Sequence, residues 1–408
     1  MADLLSKDHF EIVNGDKILA LNSMAQKAKR KGKKIINATV GMLFDENENL
    51  ADIQIADRII RESADALTKS YGPSSGGELF QDGVDRWLFE KVDRKRAFHS
   101  VIATIGATGA LSLSMRNYCN RGQEILMPSI RWSNYDSIAL QAGCSIKEYN
   151  LFNGEDRFDL ESVKSGIEES FQKYHRAYLL INDPCQNPTG YTMKTEEWAH
   201  LLAYLKEKSR EYPIILLDDI AYVNYSRDSY DPVFRIMIDA LDDQLMIQIA
   251  FSASKTLSIY GLRGGALIGL SNRKETIDRF KTACEGTARA IWALPNSMAC
   301  RVVGEAFSNE RSREEIRNEL SVFRSMIDDR AGIFLKEAEL VNLFTYPYHN
   351  GFFVLIPCSQ SDKVAGILAD RNIFVVPMSG GIRVSLASIS QREVRGLARS
   401  IRKAIKDE

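Results

Sequence analysis

Between about residue 100 and residue 270 the chain alternates short apolar runs with longer amphipathic segments, and this rhythm limits the folds open to it. Residues 101–104, 124–127, 145–149, 177–181, 214–218, 245–251 and 266–270 read as strands. Residues 109–120, 134–142, 159–173, 194–210 and 235–241 read as the helices between them. Strands and helices in alternation predict an α/β domain built on a mostly parallel sheet. In such sheets ligands sit beyond the carboxyl ends of the strands. The residues that follow each apolar run are therefore the ones to read for chemistry.

After Ala306 the pattern changes. A long charged helical stretch, 309–339, precedes strand-like runs at 352–356, 373–376 and 382–386 and helices at 361–370 and 391–406. This predicts a second, smaller α+β domain. The first 50 residues lack the α/β rhythm and are expected to join it. The expected division is 1–48 for an N-terminal arm and part of the small domain, 49–310 for the large domain, and 311–408 for the small one. A strand at 35–40 follows the basic run Lys27 to Lys34, which reads as a solvated helix end.

A net charge of −1 over 408 residues gives no polyelectrolyte signal for nucleic acid or an anionic membrane. No segment approaches the roughly 18 uninterrupted apolar residues of a membrane span. The six cysteines are scattered, without a Cys-x-x-Cys pair, and read as reduced thiols of a cytoplasmic protein; the start of the chain shows no secretory signal. The five histidines stand apart, so no metal site is expected.

The stretch that concentrates chemistry is Ser252-Ala253-Ser254-Lys255, followed by Tyr260 and Arg263, between two apolar runs. An amine so placed can form a Schiff base with an aldehyde, while Ser252, Ser254 and Arg263 hold an anionic handle such as a phosphate. Pyridoxal phosphate requires that combination, although a loop lysine would satisfy the motif taken alone. Gly106-Ala107-Thr108-Gly109 follows a strand and opens a helix, where free N–H groups attract an anion. Trp132 can stack on a flat ring or fill a core. Asn187, in Asn-Pro-Thr-Gly, can donate to a ring oxygen, though that tetrapeptide is also an ordinary turn. Leu217-Asp218-Asp219-Ile220-Ala221-Tyr222 ends an apolar run with two carboxylates and a phenol. A buried carboxylate there asks for a cation, which a protonated ring nitrogen supplies. Arg383, inside an apolar run, has the planar fork that grips a carboxylate or forms a surface ion pair.

In conjunction and in this order, the Asn-Pro-Thr-Gly, Asp-x-x-Tyr and Ser-x-Ser-Lys-x7-Arg motifs resemble the fold-type I pyridoxal-phosphate enzymes, specifically class I aminotransferases, over nearly the whole chain. The resemblance implies that Lys255 is the Schiff-base lysine and Asp219 meets the ring nitrogen. It implies that Asn187 and Tyr222 hold the ring oxygen and that Trp132 stacks. The phosphate would fall to Ala107, Thr108, Ser252, Ser254 and Arg263, and the substrate α-carboxylate to Arg383. Tyr71 matches a tyrosine that reaches the neighbouring subunit's phosphate, and Tyr260 a further tyrosine near the cofactor. Within the aspartate and aromatic branch, Asn134, Asp16 and Arg289 also match. There the arginine comes from the partner and binds the substrate's side-chain carboxylate. The chain departs from the branch at Ala293-Leu294, where a Ser-Asn pair is usual, at Tyr135, where histidine is frequent, and at Ala107, where glycine is common.

The resemblance thus implies a cytoplasmic homodimer with shared active sites. It would transfer an amino group between an L-amino acid (aspartate, glutamate or aromatic) and a 2-oxo acid such as 2-oxoglutarate. A C–S β-lyase would use the same residues, and a sensing domain could use the same fold. The lyase is separable by its product, and the sensor by an appended DNA-binding domain.

Overall fold

The structure, a computed structural model, describes residues 17–63 and 69–407. Strands form at β1 Ile36–Asn37, β2 Phe98–Ile105, β3 Glu124–Pro128, β4 Ser145–Tyr149, β5 Ala177–Ile181 and β6 Ile214–Asp219. They continue with β7 Leu245–Ser252, β8 Gly264–Ser271, β9 Phe353–Pro357, β10 Ile373–Phe374, β11 Val376–Met378 and β12 Gly381–Ser385. Seven of them make one sheet in the order β2-β8-β7-β6-β5-β3-β4. Every residue of β5, β6, β7 and β8 is buried, which explains their near-continuous apolar sequence.

Strands β3, β4, β5, β6 and β7 pair in parallel. Strand β8 runs antiparallel to both neighbours, β2 and β7. The connection 253–263 between β7 and β8 is shorter than the roughly dozen residues a parallel crossover needs, so the chain must double back. That forced turn carries Lys255.

The two-residue period of the strands splits the core into two layers. Ala177, Leu179, Leu216, Ile247 and Ile249 belong to one layer, with Trp198 and Leu201 of the helix Thr195–Lys208. Tyr178, Leu180, Leu217 and Ala250 belong to the other, with Ala110 and Leu113 of the helix Gly106–Tyr118. The alternation decides which side chains at the strand ends face the same space.

Strands β11, β12 and β9 form a small antiparallel sheet in that order. Strand β1 pairs in parallel with β10, so residues near the two ends of the chain lie side by side. The 31-residue helix Glu310–Leu340 packs Ala331, Phe334 and Ala338 into the core beneath this region.

Three expectations are corrected. The run 373–376 is not one strand, because Ile373–Phe374 pairs with β1 whereas Val376–Met378 pairs with β12. The helix expected over 391–406 is two, Gln391–Val394 and Leu397–Lys406, broken at Gly396 with φ 85°. Of 35–40 only Ile36–Asn37 enters a ladder. The helices Glu78–Phe89, Lys274–Ile291 and Ser297–Ser308 were not assigned from sequence. Among the described residues no helix is long and apolar enough to cross a membrane.

Candidate active site

Strand β7 ends at Ser252, and a single helical turn, Ala253–Thr256, presents Lys255 before the chain returns in β8. Lys255 Nζ donates to the carbonyl of Gly41 at 2.8 Å. It stands 4.7 Å from the centre of the Tyr260 ring. Burial pushes its amine down to about 7, and the charges of Arg263 and Arg383 act in the same direction. The Tyr225 hydroxyl donates to the Lys255 carbonyl at 3.1 Å and fixes the turn from below.

On the next strand, β6, the two adjacent carboxylates face opposite layers. Asp218 takes a hydrogen bond from the Tyr230 hydroxyl at 2.9 Å, and burial pushes its carboxyl well above the usual range. Asp219 faces the layer of Trp132 and Tyr135. The Tyr135 hydroxyl donates to Asp219 Oδ2 at 2.7 Å and the Ala221 amide to Oδ1 at 3.1 Å. Burial raises the Asp219 carboxyl to about 6, although these donors and Lys255 all favour its charged form. Trp132 stands edge-on to Tyr135, with ring centres 5.4 Å apart.

Arg383 crosses from the small sheet. Its Nη1 donates to Asn187 Oδ1 at 3.1 Å and its Nη2 to the Thr39 carbonyl at 2.7 Å. The guanidinium carbon lies 4.4 Å from the centre of the Phe353 ring. With its oxygen engaged by Arg383, Asn187 has its amide nitrogen left to donate. The Asn182 side chain in turn donates to the Asp219 carbonyl at 2.7 Å, tying this loop to β6.

The anion cradle forms where the start of the helix Gly106–Tyr118 meets the β7–β8 turn. The Gly106 amide donates to the Arg263 carbonyl at 2.6 Å, and Arg263 Nη1 lies 3.4 Å from Ser254 Oγ. Gly106 has φ 65°, and a Cβ there would lie 2.7 Å from Arg263 Nη2. Only glycine fits without displacing the guanidinium.

These groups converge on one cavity of about 270 Å³. Lys255, Asp219, Tyr222, Asn187 and Trp132 line it, together with Ala107, Thr108, Ser252, Ser254, Arg263 and Arg383. The wall also includes Ile18, Gly41, Tyr135, Asn182 and Phe353. Tyr135 was marked in the sequence as a departure. Gly41 contributes a backbone carbonyl, and the others sit in no motif. Four expected residues do not line the cavity, among them Tyr260, whose ring stands beside Lys255 but lines a neighbouring pocket. Tyr71 is 95% exposed. Arg289 is exposed on the helix Lys274–Ile291, and Asn134 is half-buried at the start of the helix Asn134–Gln141. Asp16 lies outside the described residues. A larger cavity, about 560 Å³, is lined by Lys33, Lys34, Glu46 and Arg392, with Val40 and Met42, and holds none of the motif residues.

The donor set fits pyridoxal phosphate. A buried amine that tends to neutrality suits its aldehyde, a buried carboxylate suits its ring nitrogen, and the helix start with Arg263 suits its phosphate.

Comparison with known proteins agrees. The pattern of the family described as aminotransferase class I and II matches residues 33–401. An aromatic-amino-acid aminotransferase of Paracoccus denitrificans is 25% identical over 398 residues, covering 95% of this chain and 96% of that protein. An aspartate aminotransferase of Salmonella typhi is 26% identical over 401 residues, covering 95% and 96%. Among solved structures, an aminotransferase from Anaerococcus prevotii superposes with a TM-score of 0.93 at 28% identity, covering 99% of this chain and 100% of that one. With the match spanning most of its length and the cavity carrying the matching donor set, the chain belongs to the class I and II aminotransferase family and is a pyridoxal-phosphate-dependent aminotransferase.

Proposed function

We propose that this aminotransferase moves the amino group between an L-amino acid of the dicarboxylic (aspartate, glutamate) or aromatic kind and a 2-oxo acid such as 2-oxoglutarate. The observation that carries the reading is the convergence of Lys255, Asp219 and Arg383 on one cavity. The relatives named for aspartate and for aromatic amino acids support the substrate range.

Pyridoxal phosphate, when bound, supplies the sink for the electron pair left at the substrate Cα. The chain does the rest. Arg383 grips the α-carboxylate with its planar fork and orients the Cα–H bond. Lys255, released from its covalent duty as a neutral amine, takes the Cα proton as general base and gives it back on the far side of the transfer. Asp219, as a carboxylate, would hold a proton on the ring nitrogen. Asn187 and Tyr222 would donate to the ring oxygen, Trp132 would stack, and Ala107, Thr108, Ser252, Ser254 and Arg263 would hold the phosphate. The apolar Ile18 and Phe353 at the wall accommodate a substrate side chain.

Tyr71 and Arg289 serve the site of a second copy, the one reaching its phosphate and the other a side-chain carboxylate, with Asn134 and Asp16 placing it. Their exposure on this chain supports that reading, which makes the protein a homodimer. The assignment of residues 1–48 to an arm and part of the small domain, beside a large domain 49–310 and a small one 311–408, draws support from the β1–β10 pairing only in that Ile36–Asn37 lies against Ile373–Phe374. A cytoplasmic location accords with six scattered cysteines that form no Cys-x-x-Cys pair.

The test adds single amino acids to the cofactor-loaded protein and follows loss of its visible absorbance together with the oxo acid released. Aspartate or phenylalanine should each discharge it, and 2-oxoglutarate should then yield glutamate. Pyruvate from cystathionine without glutamate from 2-oxoglutarate would overturn the proposal in favour of a lyase.

A further inference from the structure

The strap of residues 39–46 reaches the cavity at Gly41, and its backbone holds Lys255 and Arg383, two of the three cations that line the site. The Thr39 carbonyl accepts from Arg383 at 2.7 Å, the Val40 carbonyl from Ser385 Oγ at 2.7 Å and the Gly41 carbonyl from Lys255 Nζ at 2.8 Å. The Leu43 amide donates to the Tyr260 hydroxyl at 3.1 Å. Yet the strap belongs to no named strand, since β1 ends at Asn37 and a single bridge joins Phe44 to Leu50. Its backbone is tied at its far end, where the Phe44 amide donates to the Ala387 carbonyl at 3.0 Å and the Leu43 carbonyl accepts from the Ala51 amide at 2.9 Å, and side chains supply the rest of its hold.

Arg330 lies in the helix Glu310–Leu340 and is fully buried, at 0% exposure. Its Nη2 donates to the Phe44 carbonyl at 2.8 Å, at the end of the strap. Its Nη1 donates to the carbonyls of Leu386 at 3.2 Å and Ala387 at 3.1 Å. Those two residues directly follow β12, which carries Arg383 and Ser385. Nε and Nη2 both reach Glu46 Oε1, at 3.0 and 2.8 Å. The other carboxylate oxygen of Glu46 accepts from the Gln391 amide at 2.7 Å. One guanidinium therefore spans the strap that holds the Lys255 amine and the segment that continues the Arg383 strand.

Burying a guanidinium is costly, and an apolar side chain of similar volume often serves stability as well or better. What the planar fork adds is direction, because it fixes several carbonyls relative to one another at once. We propose that Arg330, with Glu46, is a positioning residue for the reaction. It sets the strap against the end of β12 and so fixes where the Lys255 amine stands relative to the Arg383 guanidinium. This rests on the roles assigned above to those two residues. A substrate is gripped at its carboxylate by one and loses its proton, one carbon away, to the other. A misplacement of about 1 Å between them costs on the order of a hundredfold.

The test uses the full-length, cofactor-loaded protein with Arg330→Met and Glu46→Gln. Melting temperature, cofactor dissociation constant, kcat and KM for aspartate and phenylalanine, and the isotope effect on Cα-deuterated substrate are all measured well below the melting point. For Arg330→Met we expect cofactor affinity within about twofold of wild type, kcat/KM lower by on the order of a hundredfold, and a larger isotope effect. Glu46→Gln keeps an acceptor but loses the charge, and should lower kcat/KM by about fivefold with the same rise in isotope effect. A merely structural arginine would lower the melting temperature and leave the isotope effect and kcat/KM where they were; that outcome overturns the proposal. If Arg330→Met does not fold, Glu46→Gln decides alone, and an unchanged isotope effect refutes it. A wild-type protein without transamination would sink the functional reading instead.

Discussion

Burial gives Lys255 the properties its role needs, at a cost in stability. Its amine is pushed down to about 7 from an ordinary value of 10.5. Between those values the unfolded chain binds a proton that the folded cofactor-free protein does not, so stability rises as pH rises through that window. The strain is greatest at and below pH 7 and disappears above 10.5. Lys255→Met in the cofactor-free protein should therefore raise the melting temperature by about 2 °C or more at pH 7, with the gain shrinking toward pH 10. A gain that does not vary with pH would show that packing, not charge, is responsible. The neighbouring carboxylate is tuned in the opposite direction. Asp219 is raised to about 6 by burial and held from going higher by the Tyr135 hydroxyl. Above that pH it is charged and can hold the ring nitrogen; below it the carboxyl is neutral and cannot. Cofactor uptake by the empty protein should thus have a midpoint near 6. Tyr135→Phe removes a hydrogen bond to a charged group, worth about 1.5–3 kcal/mol, and should move that midpoint up by about one unit or more. An unmoved midpoint in a titration followed by absorbance would remove Tyr135 from the account.

The elements that matter most lie where the chain turns at the ends of the strands. The helical turn Ala253–Thr256 and the start of the helix Gly106–Tyr118 meet through Gly106 and Arg263, at φ 65° and 57°. Gly106→Ala forces a Cβ against the Arg263 guanidinium and strains the backbone by about 1 kcal/mol. The expected result is a cofactor dissociation constant raised by at least about tenfold, read by equilibrium dialysis, with only a small drop in melting temperature. Equal losses in both would place the damage in the fold. These turns were legible because their motifs follow apolar runs in one order along the chain, although each taken alone would also serve as an ordinary loop or helix start. The buried strands were legible for a similar reason: β5 falls where its apolar run placed it, while the partly exposed β4 also keeps its expected bounds. The strap 39–46 was not, because it works through carbonyl oxygens that every residue possesses. Arg330 was hidden for a related reason: in a helix rich in arginine and glutamate, nothing in the sequence distinguishes the buried guanidinium from its exposed neighbours. The split of 373–376 was equally invisible, since a change of sheet between Phe374 and Val376 leaves the apolar pattern intact.

At the scale of the whole molecule, one chain supplies the cavity with Lys255, Asp219 and Arg383, but leaves Tyr71 and Arg289 on its surface. Side chains that match functional positions and yet face outward make sense if a two-fold assembly brings each to the other copy's site. The decisive test depends on which chain each residue serves. Mixing two inactive proteins provides it. A Lys255→Ala chain lacks the base but keeps Arg289; an Arg289→Ala chain keeps the base and lacks the arginine. If Arg289 acts across the interface, each mixed dimer contains one site with both residues intact and one with neither. Random reassortment makes about half of the dimers mixed, so about a quarter of the wild-type activity toward aspartate should return on mixing. If Arg289 serves its own chain, or none, every site in the mixture lacks something or the second variant was never impaired. Activity would then stay at the average of the two parents. The dicarboxylic substrate is the one to use, because the arginine is proposed to bind its side-chain carboxylate. Phenylalanine in the same mixture should track only the number of intact Lys255 residues.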